Sequence, residues 1–146
     1  MKKRIAVILS LIAVTALLAF IYLFSRASVK PGDLLIRCAG KEITVTYADL
    51  DKSHVSGTVK NKKGEVKTID TEGFPVSSIP ALANIGDFSE ISVYSDDEYS
   101  ASLTSEEALS DGKAYLIDDD GKIRLIVFGD EDSKRDVKNV VRIEIK

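Results

Sequence analysis

The chain has 146 residues, 45% of them hydrophobic and 29% charged, with a formal net charge of −3, which suits one globular domain plus a short appendage and excludes long disorder. All 23 acidic residues but only 16 of the 20 basic ones follow Ala27, so that part alone carries a net −7. Such a surface excludes nucleic acid as a partner, because a phosphate backbone needs excess positive charge, and it suits anionic lipid poorly.

The N-terminal segment differs in kind. Met1 to Arg4 is a basic start, and Ile5 to Phe24 runs 20 residues without a charge. A helix of that length reaches about 30 Å, enough to cross the hydrocarbon core. Residues 1–27 therefore read as a cytoplasmic basic start and a transmembrane signal anchor. Lys2, Lys3 and Arg4 outweigh Arg26 and Lys30, which keeps the N-terminus inside. Ser25 and Ala27 place small residues where a signal peptidase reads, so the same segment also reads as a cleaved signal peptide. Both readings put the rest of the chain outside the cytoplasm: at the cell membrane behind a single pass if the segment stays, secreted if it is cleaved.

Residues 28–32 form a linker closed by Pro31 and Gly32, and 33–146 form the domain. Strands are expected over Asp33–Cys38 and, half-buried and alternating, over Glu42–Thr46. Thr46 then caps a short helix over Tyr47–Asp51. His54–Lys60 and Glu65–Asp70 flank the turn Asn61–Gly64, a hairpin signal. Gly73 to Val76 is a break. Ser77 or Ser78 caps a helix over Ile79–Ile85, with Pro80 in its first turn and Gly86 as its left-handed end. Strands follow over Glu90–Tyr94 and Tyr99–Leu103, turning at Asp96 to Glu98. Thr104 and Glu107 form a capping box for a helix to about Leu109. Ala114–Ile117 and Ile123–Phe128 make a second hairpin across Asp118 to Gly121, and Val140–Ile145 is the last strand. The pattern predicts an α+β fold, a mixed β-sheet with short helices, preceded by the one transmembrane helix.

Cys38 is the sole cysteine, so it has no internal disulfide partner. It reads as a buried strand residue, with an intermolecular bridge as the alternative. His54, the sole histidine, has no nucleophile beside it. The acidic turns Asp96–Glu98 and Asp118–Asp120 lack the full ligand set of a calcium loop and read as hydrated turns.

The C-terminal block carries the most specific pattern. Gly121, Arg124, Leu125, Ile126 and Val127 form a turn into a strand. Arg135, Val137, Lys138 and Asn139 form a basic loop, and Arg142 to Ile145 a closing strand. This block resembles the end of the oxidoreductase molybdopterin-binding domain of the sulfite oxidase family. The likeness extends more loosely back to Asp33, as a short form of that domain. It implies the family's fold, and a pterin phosphate held by basic residues at the positions of Arg124, Arg135 and Lys138. The other reading of these three is surface charge paired with Asp130, Glu131, Asp132 or Asp136. In catalytic members a cysteine thiolate binds molybdenum. The matching stretch here is Val55 to Thr58, where Ser56 and Thr58 offer hydroxyls that do not replace a soft thiolate. Asp120 and Glu98 also depart from the family pattern, adding negative charge near an anionic cofactor.

The expectation is a membrane-anchored extracytoplasmic module that is non-catalytic and binds a protein or a small ligand. No cofactor is expected, molybdopterin being the one the resemblance admits. The alternative is a pterin-binding oxidoreductase or an accessory subunit of a membrane redox assembly.

Overall fold

The structure is a computed structural model; it describes the backbone of residues 2–25 and 29–146, and the side chains of 5–21 and 29–146. The cleavage-site residues Arg26 and Ala27, and the side chains of Lys2, Lys3 and Arg4, lie outside the described residues.

Helix α1 spans Lys2–Ser25. Its run of Ala, Leu and Ile without Gly or Pro favours helix throughout, and its described side chains are exposed. Among the described residues, no helix is long and apolar enough to cross a membrane. The transmembrane helix expected over Ile5–Phe24 is corrected on that ground. The helix itself forms, over Lys2–Ser25.

Among the described residues, nine strands build two sheets. They are β1 (Asp33–Cys38), β2 (Lys41–Thr46), β3 (Ser53–Lys60), β4 (Val66–Pro75), β5 (Glu90–Ser95), β6 (Ser100–Thr104), β7 (Ala114–Asp119), β8 (Lys122–Val127) and β9 (Val140–Ile145). The first sheet has the order β2-β1-β9-β5-β6, and the second β3-β4-β7-β8. Only β1 and β9 pair in parallel, with Ile36 opposite Ile143; the other pairs are antiparallel. A mixed sheet with short helices is thus present, as an α+β fold requires, but the strands divide between two sheets rather than one.

The main core lies between the sheets. Period-two alternation sends Leu34 and Ile36 of β1, Ile91 and Val93 of β5, and Ile143 and Ile145 of β9 into it. Phe74, Leu116 and Leu125 of the second sheet belong to the same cluster. Each such side chain contributes about 1.5–3 kcal/mol of burial. Tyr47 joins the sheets directly: it leaves β2 and its buried hydroxyl donates to the Leu116 carbonyl on β7 at 2.8 Å.

Several local expectations change. β2 is an edge strand, and only Val45 in it is half-buried. Tyr47–Asp49 is a single 3-10 turn that Thr46 does not cap; the Thr46 hydroxyl donates instead to Asp33 at 2.9 Å. The break at Gly73 to Val76 is absent, because β4 runs on to Pro75. Gly73 is there for space: a Cβ would lie 2.9 Å from a Val55 methyl and 3.0 Å from an Ile117 methyl. Helix α2 is one turn, Ile79–Leu82, without a serine cap. Asn84, at φ +53°, makes the left-handed exit expected of Gly86. Helix α3 (Ser105–Leu109) does carry the capping box: the Glu107 amide donates to Thr104 Oγ1 at 3.2 Å, and the Thr104 amide to the Glu107 carboxylate at 3.2 Å.

The β3–β4 arm packs on the outer face of β7 and β8. Val55, Ile69, Ile117 and Ile126 form a second small cluster there, with Val59, Tyr115 and Phe128 against it. The Phe128 ring lies on Gly57, where a Cβ would meet its Cε1 at 2.6 Å.

Two tests follow from this packing. Gly57→Ala forces the ring away and lowers stability by about 1–3 kcal/mol. In a double-mutant cycle by urea unfolding, Phe128→Ala recovers part of that loss, and strict additivity would refute the contact. Burial, with Asp118 nearby, pushes the Tyr47 phenol up to about 12. The folded state then holds its proton where the unfolded chain loses it, so this stability is complete below about pH 10 and is lost as pH climbs through 12. Urea midpoints of wild type and Tyr47→Phe, measured from pH 9 to 12, should converge as pH rises.

Candidate functional site

The connection from β8 to β9 crosses from one sheet to the other. Val137 anchors it: the side chain is fully buried, and its carbonyl accepts from the Leu125 amide at 2.9 Å. Two arginines fix the loop around that point. Arg124 on β8 is only 8% exposed. It grips Asp136 bidentately, with Nε to Oδ1 at 2.6 Å and Nη2 to Oδ2, and reaches Asp119 through Nη1 at 3.1 Å. Arg135 grips Asp130 at 2.8 and 2.5 Å and Glu107 at 2.9 Å. Parallel N–H···O bonds of this kind are among the strong charge-assisted pairs. The Asp136 carboxylate holds the Arg124 guanidinium above its ordinary pKa, and Asp130 does the same for Arg135. The Arg135 hydrogen bond in turn lowers the Glu107 carboxyl. Glu107 therefore serves both the α3 cap and the loop.

A cleft of about 580 Å³ opens beside this network. The β3–β4 turn provides one wall with Asn61, Lys62, Lys63 and Glu65. The β5–β6 turn provides Ser95, Asp97 and Tyr99. Arg124, Ser133, Asp136 and Lys138 complete the lining. Its carboxylates are held internally. Asp97 accepts from the Ser95 hydroxyl and from the Tyr99 amide at 3.1 Å, and the Ser95 bond draws its pKa below the usual range. Glu65 accepts from the Asn61 side chain at 2.6 Å. The Tyr99 hydroxyl donates to the Lys134 carbonyl, tying the β5–β6 turn to the loop.

Arg124 and Lys138 thus share the cleft, while Arg135 lines a separate, much smaller hollow beside Val59 and Ile126. Both guanidiniums are taken up by carboxylates. Lys138 is exposed and forms no ion pair among the described residues. Ser56 and Thr58 are exposed on β3 and do not line the cleft. Cys38 is half-buried at the end of β1, in a depression with Arg37, Lys41, Glu144 and Lys146 that shares no residue with the cleft. His54 is exposed, with Nε2 3.3 Å from Asp70. Glu98 pairs with Arg142 at 3.0 Å, and Asp118 accepts from the Gly121 amide at 2.7 Å.

The resemblance raises molybdopterin, and the donor set can be tested against it. The lining offers amines, a guanidinium, carboxylates, hydroxyls and one amide, but neither thiol nor imidazole. A molybdenum centre of the expected kind needs a soft sulfur donor, so these residues do not fit its ligation. Among the described residues, no group of three or more His, Cys, Asp or Glu is placed to hold a metal ion. Sequence reading passed over Lys62 and Lys63, which registered only as part of a hairpin turn. The polar pair at the tip of that hairpin was the available signal. No family model matches the chain, and no curated protein matches it.

Asp136→Ala leaves the Arg124 charge largely desolvated and without its main partner. It should cost roughly 2–4 kcal/mol, below the full buried-pair range because the Asp136 side chain is 19% exposed. The apolar pair Arg124→Met with Asp136→Leu should cost less than Asp136→Ala alone. Urea unfolding checks both, and equal losses would show that the pair carries no coupling.

Proposed function

We propose that the chain is an exported, non-catalytic binding module that keeps the scaffold of the molybdopterin-binding domain without its metal ligand. It binds its ligand in the cleft between the β3–β4 turn and the β8–β9 connection. The observation that carries this reading is the cleft itself, large enough for a small molecule and lined by polar groups with no sulfur or imidazole. Its volume falls in the range of small-ligand pockets, and its polar lining suits a polar ligand rather than an apolar one.

Two further points support it. The three blocks that carry the resemblance fall on a hairpin strand, a connecting loop and a closing strand, in that order. The sole thiol sits in a different depression, so the chemistry that defines the catalytic members has no donor at the cleft. Fold alone does not assign function, and the reading rests on the site. Export follows from the apolar run Ile5 to Phe24, acting as a signal.

The full chain purified from its native host tests this. Native mass spectrometry should show a small-molecule adduct that is lost when Ser133→Trp fills the cleft, and metal analysis should find no molybdenum. Stoichiometric molybdenum, with pterin fluorescence after oxidation, would overturn the reading.

A further inference from the structure

Lys62, Lys63 and Lys138 enter the cleft from two separate segments, and none forms an ion pair among the described residues. Each of the cleft's acids has another hydrogen-bond partner. Asp136 is held by Arg124, Asp97 by Ser95 and the Tyr99 amide, and Glu65 by Asn61. Four cationic side chains face three acidic ones in the lining, against 16 and 23 in the part of the chain that follows Ala27. The cleft is therefore a local reversal of the domain's charge. Concave walls focus such a field and raise the local concentration of counter-ions.

We propose that the cleft takes a small oxyanion ligand with at least two anionic groups, a polyphosphate or a polycarboxylate. One group is held by Lys62 and Lys63 at the hairpin tip, and another by Lys138 on the loop. This rests on the reading of the cleft as the binding site. Lysine suits the task, since each ammonium supplies three donors on a flexible stem and adapts to either oxyanion. Arg124 fixes the Asp136 side of the floor and is not itself free to bind. The Ser133 hydroxyl is a further donor within the lining.

The test uses the full chain in a mild non-ionic detergent, with pyrophosphate and citrate as probes of the two sources and monovalent acetate as the control. Amide NMR shifts should move at residues 61–63 and 133–138 with one or both probes, less with acetate, and should weaken as salt rises. Lys62→Glu with Lys63→Glu, or Lys138→Glu alone, should weaken binding by about ten-fold or more. Lys41→Glu, remote from the cleft, should leave it unchanged. The stronger probe identifies phosphate or carboxylate as the recognised group. Shifts confined to the cleft but insensitive to all three lysines would overturn the inference. So would a native adduct lost in Ser133→Trp yet retained in the lysine variants, and that result would leave the cleft as the binding site. Probe binding elsewhere, with no adduct sensitive to Ser133→Trp, would overturn both.

Discussion

The passage of the chain from β8 to β9 is the constraint on which the rest of the domain depends. β9 lies at the centre of one sheet, while β8 is at the edge of the other. Residues 128–139 must therefore cross between layers while keeping their polar backbone satisfied. Val137 supplies the apolar anchor, and its carbonyl continues the β8 edge. Arg124 and Arg135 supply the rest by binding acids on three separate elements: Asp119 on β7, Glu107 on α3, and Asp130 and Asp136 in the loop. Removing either arginine would leave carboxylates facing one another. Arg124 and Arg135 are thus explained first by the need to hold the crossing.

That assignment changes what the cleft can do. With both guanidiniums neutralised, the proposed recognition rests on the lysines of the β3–β4 turn and of the loop, which form no ion pair among the described residues. The two walls also differ in firmness. The loop is held by part-buried pairs and by Tyr99, whereas the hairpin tip is exposed along residues 60–68. Local stability follows such differences in burial and bonding. The arm packs through Val55, Val59 and Ile69, well back from its tip. A ligand bound at Lys62 and Lys63 would therefore order the softer wall against the firmer one.

What was legible in the sequence was local. The turns at Asn61–Gly64 and Asp118–Gly121, the Thr104–Glu107 capping box and most strand positions depend on residues within a few places of one another. Neighbouring propensity and hydrogen bonding decide these features. What was illegible depends on distant partners. Gly73 looks like a break unless one knows that Val55 and Ile117 crowd it. The alternation in β2 predicts a half-buried strand, yet an edge position leaves most of it exposed. The division into two sheets rests on Tyr47 and the β8–β9 crossing, neither of which leaves a periodic trace. At the site, acidic neighbours foretold pairing for the arginines, and Asp130 and Asp136 are among them. Glu107, 28 positions from Arg135, could be supplied only by the fold.

Net charge misleads in the same way. A total of −7 beyond Ala27 describes behaviour at long range, where the domain repels anions. At physiological ionic strength the Debye length is about 8 Å, so acids on the far face of a sheet contribute little inside the cleft. There the balance is set by which charges are already paired. The acids of the lining are hydrogen-bonded within the protein, which draws the Asp97 carboxyl down and keeps it ionised but occupied. The lysine ammonium groups are exposed, form no ion pair among the described residues, and come to one cleft from two segments that the sequence separates by 75 positions, Lys63 and Lys138. An overall charge that opposes polyanions at long range is therefore compatible with the small anion proposed for the cleft. The small ligand fits within the screened volume of the cleft, whereas a polymer would extend across the acidic surface around it.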